Sequence, residues 1–261
     1  WSGLVRVALC WLLACPAWAQ LQAQEPTPVL ALGAEGRYAL GPFMSFLADP
    51  EGQLGIDDVV QAARQGRFRP VRLSGPSTNF GMNQGAVWVR VEFRSPRGSA
   101  PDWLLELAYP PLDYVQLYAP HPKGGWQQYA GGDREPFSLR PMAHRNHVFP
   151  LWLPARETSP VYLPLASEGV VAAPLRLWRP QALWQFDQAA YAVLALYFGL
   201  LIGLLLYNLL LFLSVRDPAF LVYVMFVAPM APAQGALTGL GSQFLWPGQR
   251  WWNSVAPHVG V

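Results

Sequence analysis

AAYAVLALYFGLLIGLLLYNLLLFL, residues 189–213, runs for 25 positions without a charge, and only Gly199, Gly203 and Asn208 fall outside the apolar set. A second charge-free stretch, 219–240, follows the turn Arg216-Asp217-Pro218. A bilayer core is ~30 Å thick and a helix rises about 1.5 Å per residue, so roughly 20 apolar residues cross it. Both stretches are long enough, and a membrane hairpin is expected. Whatever precedes residue 188 is then something attached to a membrane.

Working outward, the 261 residues are 52% hydrophobic and 13% charged, with a net charge of +2. From Gln20 to Asp187 there are 15 Arg and Lys against 15 Asp and Glu. A neutral region of this kind excludes an electrostatic nucleic-acid binder and points to no ligand by charge. Residues 1–19 read as a secretory signal: Arg6 for the basic region, Val7–Ala14 for the apolar core, Ala17-Trp18-Ala19 for the cleavage site. Leu12-Leu13-Ala14-Cys15 also resembles a lipoprotein box, which Pro16 and the site at Ala19 disfavour. Both cysteines, Cys10 and Cys15, lie inside this signal. The mature chain is therefore expected to lack a thiol nucleophile, a cysteine-ligated metal and disulfides. Export places the domain outside, so the first span runs inward and Arg216 falls on the cytoplasmic side.

Residues 20–35, rich in Pro, Gln and Ala, are expected to be a mobile leader, 36–180 an exported domain, and 181–261 a membrane domain. In the exported domain Val87, Val89, Val91 and Phe93 alternate with Trp88, Arg90, Glu92 and Arg94, the period of a half-buried strand. Residues 103–109, 114–118, 147–153, 161–165 and 175–178 look similar, with Pro and Gly between them. Short strands with such punctuation predict an all-β, jelly-roll-like sandwich followed by α-helical transmembrane segments. One helix is expected after Asp57 as cap, with Val59, Val60 and Ala63 on its apolar face and Gly66 at its end. Trp178, Trp184, Phe186 and Tyr191 fit an interfacial belt, and Asp187 is the expected cap of the first span. Pro229, Pro232, Gly235 and Gly239 loosen the second span and call for further helices around it. After an aromatic outer loop, 242–253, the chain turns apolar from Ser254, which reads as a third span cut short.

Several local motifs, in order, resemble one receptor family. They are Phe46-Leu47-x-Asp49-Pro50, Asn79-Phe80-Gly81, Val87-Trp88-Val89-Arg90, Gly132-Asp133-Arg134-x-Pro136-Phe137, Arg140-Pro141, His144-Arg145 and Val148-Phe149-Pro150-Leu151. In the membrane half, Tyr197-Phe198-Gly199, Leu206-Tyr207-Asn208-Leu209, Ser214-x-Arg216-Asp217, Leu221-x-Tyr223 and Phe244-Leu245-Trp246-Pro247 continue the pattern. Over about residues 36–261 the chain resembles the bacterial seven-transmembrane receptors with diverse intracellular signalling modules, type 2 extracellular domain. The resemblance implies a carbohydrate-binding-like jelly roll in the periplasm, seven inner-membrane helices and a cytoplasmic output of diguanylate cyclase or histidine kinase type. That output is absent from the sequence given, and no catalytic residue is assigned.

Candidate ligand residues are Trp88 and Arg90, which share a strand face, with Arg134, Arg140 and Arg145 as arginines able to converge on them. An aromatic face stacks on sugars and Arg grips anionic groups in bidentate fashion. The plainer reading is that Trp88 packs in the core and the arginines pair with Asp133, Glu106 or Asp113. Gly131-Gly132-Asp133-Arg134-Glu135 nearly spells a cyclase signature but reads as a turn between strands. His144 and His147, three apart, would face opposite sides of a strand, so no metal is expected, and no cofactor. Asp57-Asp58 are explained by a helix start. Gly199-x-x-x-Gly203 allows close helix approach, in a homodimer or within its own bundle. Asn208 is expected to bond another helix. The expected partners are a small, carbohydrate-like molecule and lipid, with no nucleic acid. The competing readings are a membrane-tethered glycan-binding or glycan-processing protein, with Glu92, Glu106 and Asp113 as carboxylates by type, and a transporter or assembly component.

Overall fold

The period-2 run at Val87–Phe93 forms the centre of a sandwich. In the computed structural model, which describes residues 28–71, 78–82, 85–98 and 100–259, Val87, Val89, Val91 and Phe93 point inward and are at most 2% exposed. The strands are β1 (Leu30–Ala31), β2 (Arg37–Ala39), β3 (Met44–Asp49), β4 (Arg69–Pro70), β5 (Asn79–Met82), β6 (Ala86–Arg94) and β7 (Asp102–Leu107). They continue as β8 (Tyr114–Pro120), β9 (Trp126–Gly131), β10 (His147–Trp152), β11 (Thr158–Ala166), β12 (Val170–Ala172) and β13 (Leu175–Trp178). One sheet has the order β4-β3-β6-β11-β8-β9, with β1 parallel to β6; the facing sheet has the order β10-β7-β13-β2. Their inner faces meet in one core that includes Phe93, Trp103, Leu105, Phe149, Leu163 and Leu177. Each such side chain contributes about 1.5–3 kcal/mol on leaving water.

The outer face of the larger sheet is covered as well. Helix α1 (Ile56–Arg64) lays Val59 and Ala62 on Leu47, Phe68, Trp88 and Tyr162. Its start differs from expectation. The helix is capped by Gly55, whose N–H donates to Asp58 Oδ2 at 3.0 Å, because a carboxylate three residues on reaches back where Asp57 cannot.

The signal at 1–19 lies outside the described residues. The mobile leader expected at 20–35 is corrected over its described part. Leu30 and Leu32 are 4% exposed, and β1 pairs with Phe93 and Arg94, so apolar side chains hold this segment against the core.

The first long helix begins earlier than the charge pattern suggests. Helix α2 runs from Pro180 to Val215, 36 residues, entered directly from β13 through the single residue Arg179. Proline suits the first turn, where its missing N–H is no loss. The helix ends at Arg216, in the left-handed region at φ 60°, and Asp217 Oδ1 then accepts from the Ala219 N–H at 2.9 Å to cap α3 (Pro218–Val227). The second span is broken. Pro229 has no N–H to give, α3 stops before it, and α4 (Met230–Leu237) resumes after it. A π-helical turn, Gly241–Leu245, and helix α5 (Arg250–Val259) follow. Two helical stretches, Pro180–Val215 and Pro218–Leu237, are long and apolar enough to cross a bilayer.

Candidate functional site: the junction of sandwich and helices

The first two turns of α2 belong to the sandwich. Leu183, 1% exposed, packs with Leu104, Val148 and Trp178, while Phe186 lies 5.1 Å from the Trp178 ring and Arg37 sits over both rings. Asp187 is not a helix cap but an interior helical residue, 3% exposed, whose Oδ2 lies 2.8 Å from His144 Nε2. His144 Nδ1 accepts from the Asn146 N–H at 3.0 Å, so the ring proton stays on Nε2 and is donated to Asp187. Leu183, Asp187 and Tyr191 are spaced by four and share one helix face.

The partner of that face is the segment 132–146, between β9 and β10. Three contacts tie it also to the segment that follows the second span. Gln243 Nε2 donates to Ala143 O at 3.4 Å, Asn253 Nδ2 donates to Asp133 O at 3.0 Å, and Gly239 closes on the Arg145 backbone. Tyr191 OH donates to Gln243 Oε1 at 2.9 Å, joining α2 to that following segment. Residues 132–146 are thus a crosspiece held by the sandwich, by the first span and by the segment after the second.

Arginines hold the crosspiece together. Arg140, 9% exposed, donates to the carbonyls of His144 at 3.1 Å, Arg145 at 3.4 Å and Gly132 at 3.5 Å. Burial lowers its guanidinium to about 10, against the attraction of Asp133. Arg134 pairs with Glu168 at 2.5 Å and Asp113 at 3.6 Å, and the hydrogen bond to Glu168 raises its pKa further. Arg145 lies over the Tyr191 ring at 5.6 Å. Below them Glu106, with 0% exposure, accepts from Asn146 Nδ2 at 2.5 Å and Trp178 Nε1 at 2.8 Å, with Arg176 Nη1 at 3.7 Å.

The five sequence-selected residues therefore divide into two places. Arg134, Arg140 and Arg145 do gather, in the crosspiece. Trp88 and Arg90 share the outer face of β6, as expected, but with α1: Trp88 is 3% exposed beside Tyr118, and Arg90 pairs with Glu92 over the Phe68 ring. Covered in this way, the Trp88 ring offers no open face for stacking, and Arg90 does not reach the other arginines. A cleft of about 270 Å³ opens on the same side of the sheet, lined by Asp49, Trp88, Tyr114, Gln116, Tyr118 and Pro164 among others. None of Glu92, Glu106 and Asp113 lines it. Among the described residues, no group of three or more His, Cys, Asp and Glu is arranged to hold a metal. Asn208 Nδ2 donates to Leu204 O at 2.8 Å, one turn back in its own helix, where a carbonyl is always in reach.

Asp187→Ala leaves the His144 N–H buried without its acceptor, and loosening of the first two turns of α2 by about 1.5–3 kcal/mol is expected. Hydrogen exchange of residues 180–188 reads it; exchange as slow as in the parent chain would count against the contact's importance.

Comparison with known families agrees with this two-part architecture. The family model described as 7TMR-DISM extracellular 2 matches residues 41–179, and that described as 7TM diverse intracellular signalling matches residues 190–261. The chain belongs to the 7TMR-DISM receptors. No curated protein matches it. The receptor is a membrane protein with an extracellular N-terminal region and a signalling role. The ten residues between the two family matches, 180–189, contain Leu183 and Asp187, so the junction lies where one family model ends and the next begins.

Sequence reasoning missed the His144–Asp187 contact and the Glu106 network. The first left a signal in the four-residue spacing of Leu183, Asp187 and Tyr191. The second left none, since Glu106 lies among the ordinary core residues Trp103, Leu104, Leu105 and Leu107.

Proposed function

We propose that this receptor binds a small, carbohydrate-like ligand in the cleft beside Tyr118 and passes the change through the 132–146 crosspiece to its helices. The observation that carries the reading is the double attachment of the crosspiece, to α2 through His144–Asp187 and to the turn and helix α5 that follow the second span through Gln243 and Asn253. A ligand shifts such a bundle only by its differential affinity for two arrangements, a few kcal/mol at most. Tyr114, Gln116 and Tyr118 supply the hydroxyl and amide groups that polyols use. The output is a diguanylate cyclase or histidine kinase carried by the full receptor, the membrane is a bacterial inner membrane, and the sandwich faces the periplasm. Gly199 and Gly203 have nothing packed within 4 Å of where a Cβ would sit, which suits a second copy or further helices of the bundle.

The test takes the chain in lipid nanodiscs against a panel of mono- and oligosaccharides, followed by hydrogen exchange. A binding sugar is expected to slow exchange around Tyr114–Tyr118 and to change exchange at 239–246. A flexible four-residue Gly-Ser insertion after Arg179 should abolish the second response and keep the first. Binding without any response at 239–246, or an insertion that leaves both responses intact, would sink the coupling route; a panel without a binder would sink the ligand class.

A further inference from the structure

The root of α2 carries a cation stacked on aromatic rings. Arg37 of β2 is exposed, and its guanidinium carbon lies 4.9 Å from the centre of the Trp178 ring and 5.6 Å from that of Phe186. Nearby, Arg176 is engaged by Glu106, Arg140 by three carbonyls and Arg179 by the Ala100 carbonyl. Among the described residues no carboxylate pairs with Arg37.

Backbone contacts fix where this cation stands. Arg37 is opposite Trp178 in the β2–β13 ladder, and the Arg179 N–H donates to Gly36 O at 2.8 Å. A Cβ on Gly36 would lie 2.9 Å from the Ala182 Cβ, so glycine lets β2 close on the first turn of α2. The charge-free run of α2 begins at Ala189, which puts Phe186 about 5 Å above the hydrocarbon. The polar layer of a bilayer is of about that depth on each side, so Arg37 stands at the level of lipid phosphates. Basic residues beside a span collect at its cytoplasmic end, and that preference gives no reason for an arginine at the outer one.

Below Phe186 the same helix face continues with Val193, Tyr197, Leu200 and Leu204, seven, four and three residues apart. All are exposed. A cation at headgroup height thus stands over an open apolar lane.

We propose that this corner binds one anionic phospholipid, its phosphate on Arg37 and an acyl chain along Phe186, Val193 and Leu200. Stacking on the rings uses the flat face of the guanidinium. Its N–H donors lie in its plane and stay available to grip a phosphate in bidentate fashion. A zwitterionic lipid brings its own cation to the phosphate and gains less from the arginine. A seated anionic lipid joins β2 to the root of α2 a second time, beside the Gly36 contact, and the junction stiffens.

The experiment places the receptor in nanodiscs of phosphatidylcholine alone, and of phosphatidylcholine and phosphatidylglycerol in equal parts. Hydrogen exchange of residues 36–39 and 180–186 is expected to slow about fivefold in the mixed lipid, the effect of one cation meeting an anionic surface. Arg37→Gln should erase the difference between the two lipids. A purely structural role for Arg37 would move exchange equally in both, so the difference is the reading. Exchange in the parent receptor that ignores the lipid, or a lipid effect that survives in Arg37→Gln, would overturn the proposal. So would equal protection by inorganic phosphate added to phosphatidylcholine discs, which would mark a free-anion site. The lane is read with a spin label on Val193→Cys, with Cys10 and Cys15 replaced by serine. Ready collision with oxygen dissolved in the bilayer is expected; a shielded label would mean that protein covers this face, and the lipid would be ruled out. The ligand cleft lies on the other sheet, so neither result depends on whether a sugar binds.

Discussion

Glu106→Ala is expected to destabilise the folded sandwich by about 3–5 kcal/mol, because removing one member of a buried charged network strands the rest. The side chain is 0% exposed and serves Asn146 from β10's approach and Trp178 from the end of β13 at once. Without it, two buried N–H donors lose their acceptor, and the partly exposed Arg176 guanidinium loses its carboxylate. For a domain of this size the melting temperature should fall by roughly 10 °C, read by tryptophan fluorescence of the full chain in nanodiscs. Glu106→Gln keeps one acceptor and should lose less than half as much. A loss below about 1 kcal/mol for the alanine variant would mean that the network is not a unit.

Gly239→Ala is expected to lift the end of the second span off the sandwich while leaving the sandwich folded. Gly239 has φ +77°, and an added Cβ would lie 2.2 Å from Arg145 O. The backbone conformation alone costs a non-glycine residue about 1–2 kcal/mol. The clash falls on a carbonyl fixed by Arg140, so it cannot be relieved by turning a side chain. Exchange at 143–146 and 239–246 should quicken at least tenfold, equal to about 1.4 kcal/mol of local stability. Gly248→Ala, where nothing lies within 4 Å, is the matched control and should change nothing. Unaltered exchange in Gly239→Ala would remove this contact from the coupling route.

What the residue pattern disclosed and what it withheld follow from range. The alternation at Val87–Phe93 is local, and β6 appears where it is expected. The charge-free runs are local too, and both spans are present. The same run misled about where the first helix starts. Residues 180–188 carry Trp184, Phe186 and Asp187, which suit a membrane interface, yet they are already helix, and the face with Leu183 is packed on protein, a fact decided by Leu104 and Val148 far away in sequence, while Trp184 stays exposed. The face shared by Trp88 and Arg90 was legible; its cover was not, because α1 reaches it from a separate part of the chain. The edge strand β9 escaped notice since its Gln and Gly content gives no apolar rhythm. Arg134, Arg140 and Arg145 were found as a group, and Asp113 was named among their carboxylate partners, but Arg140 is turned toward three backbone carbonyls, which no residue type announces.

Because β13 turns into α2 with one residue between, the helix has no freedom to swivel at its root. Thirty-six residues at 1.5 Å each make a rod of about 54 Å gripped at one end by Leu183 and Asp187. Rocking its root by about 5° swings the far tip, at Arg216, through roughly 5 Å, close to one helical pitch. A lever of this length converts a shift too small to disturb the sandwich into a stroke of a full helical turn at its far end.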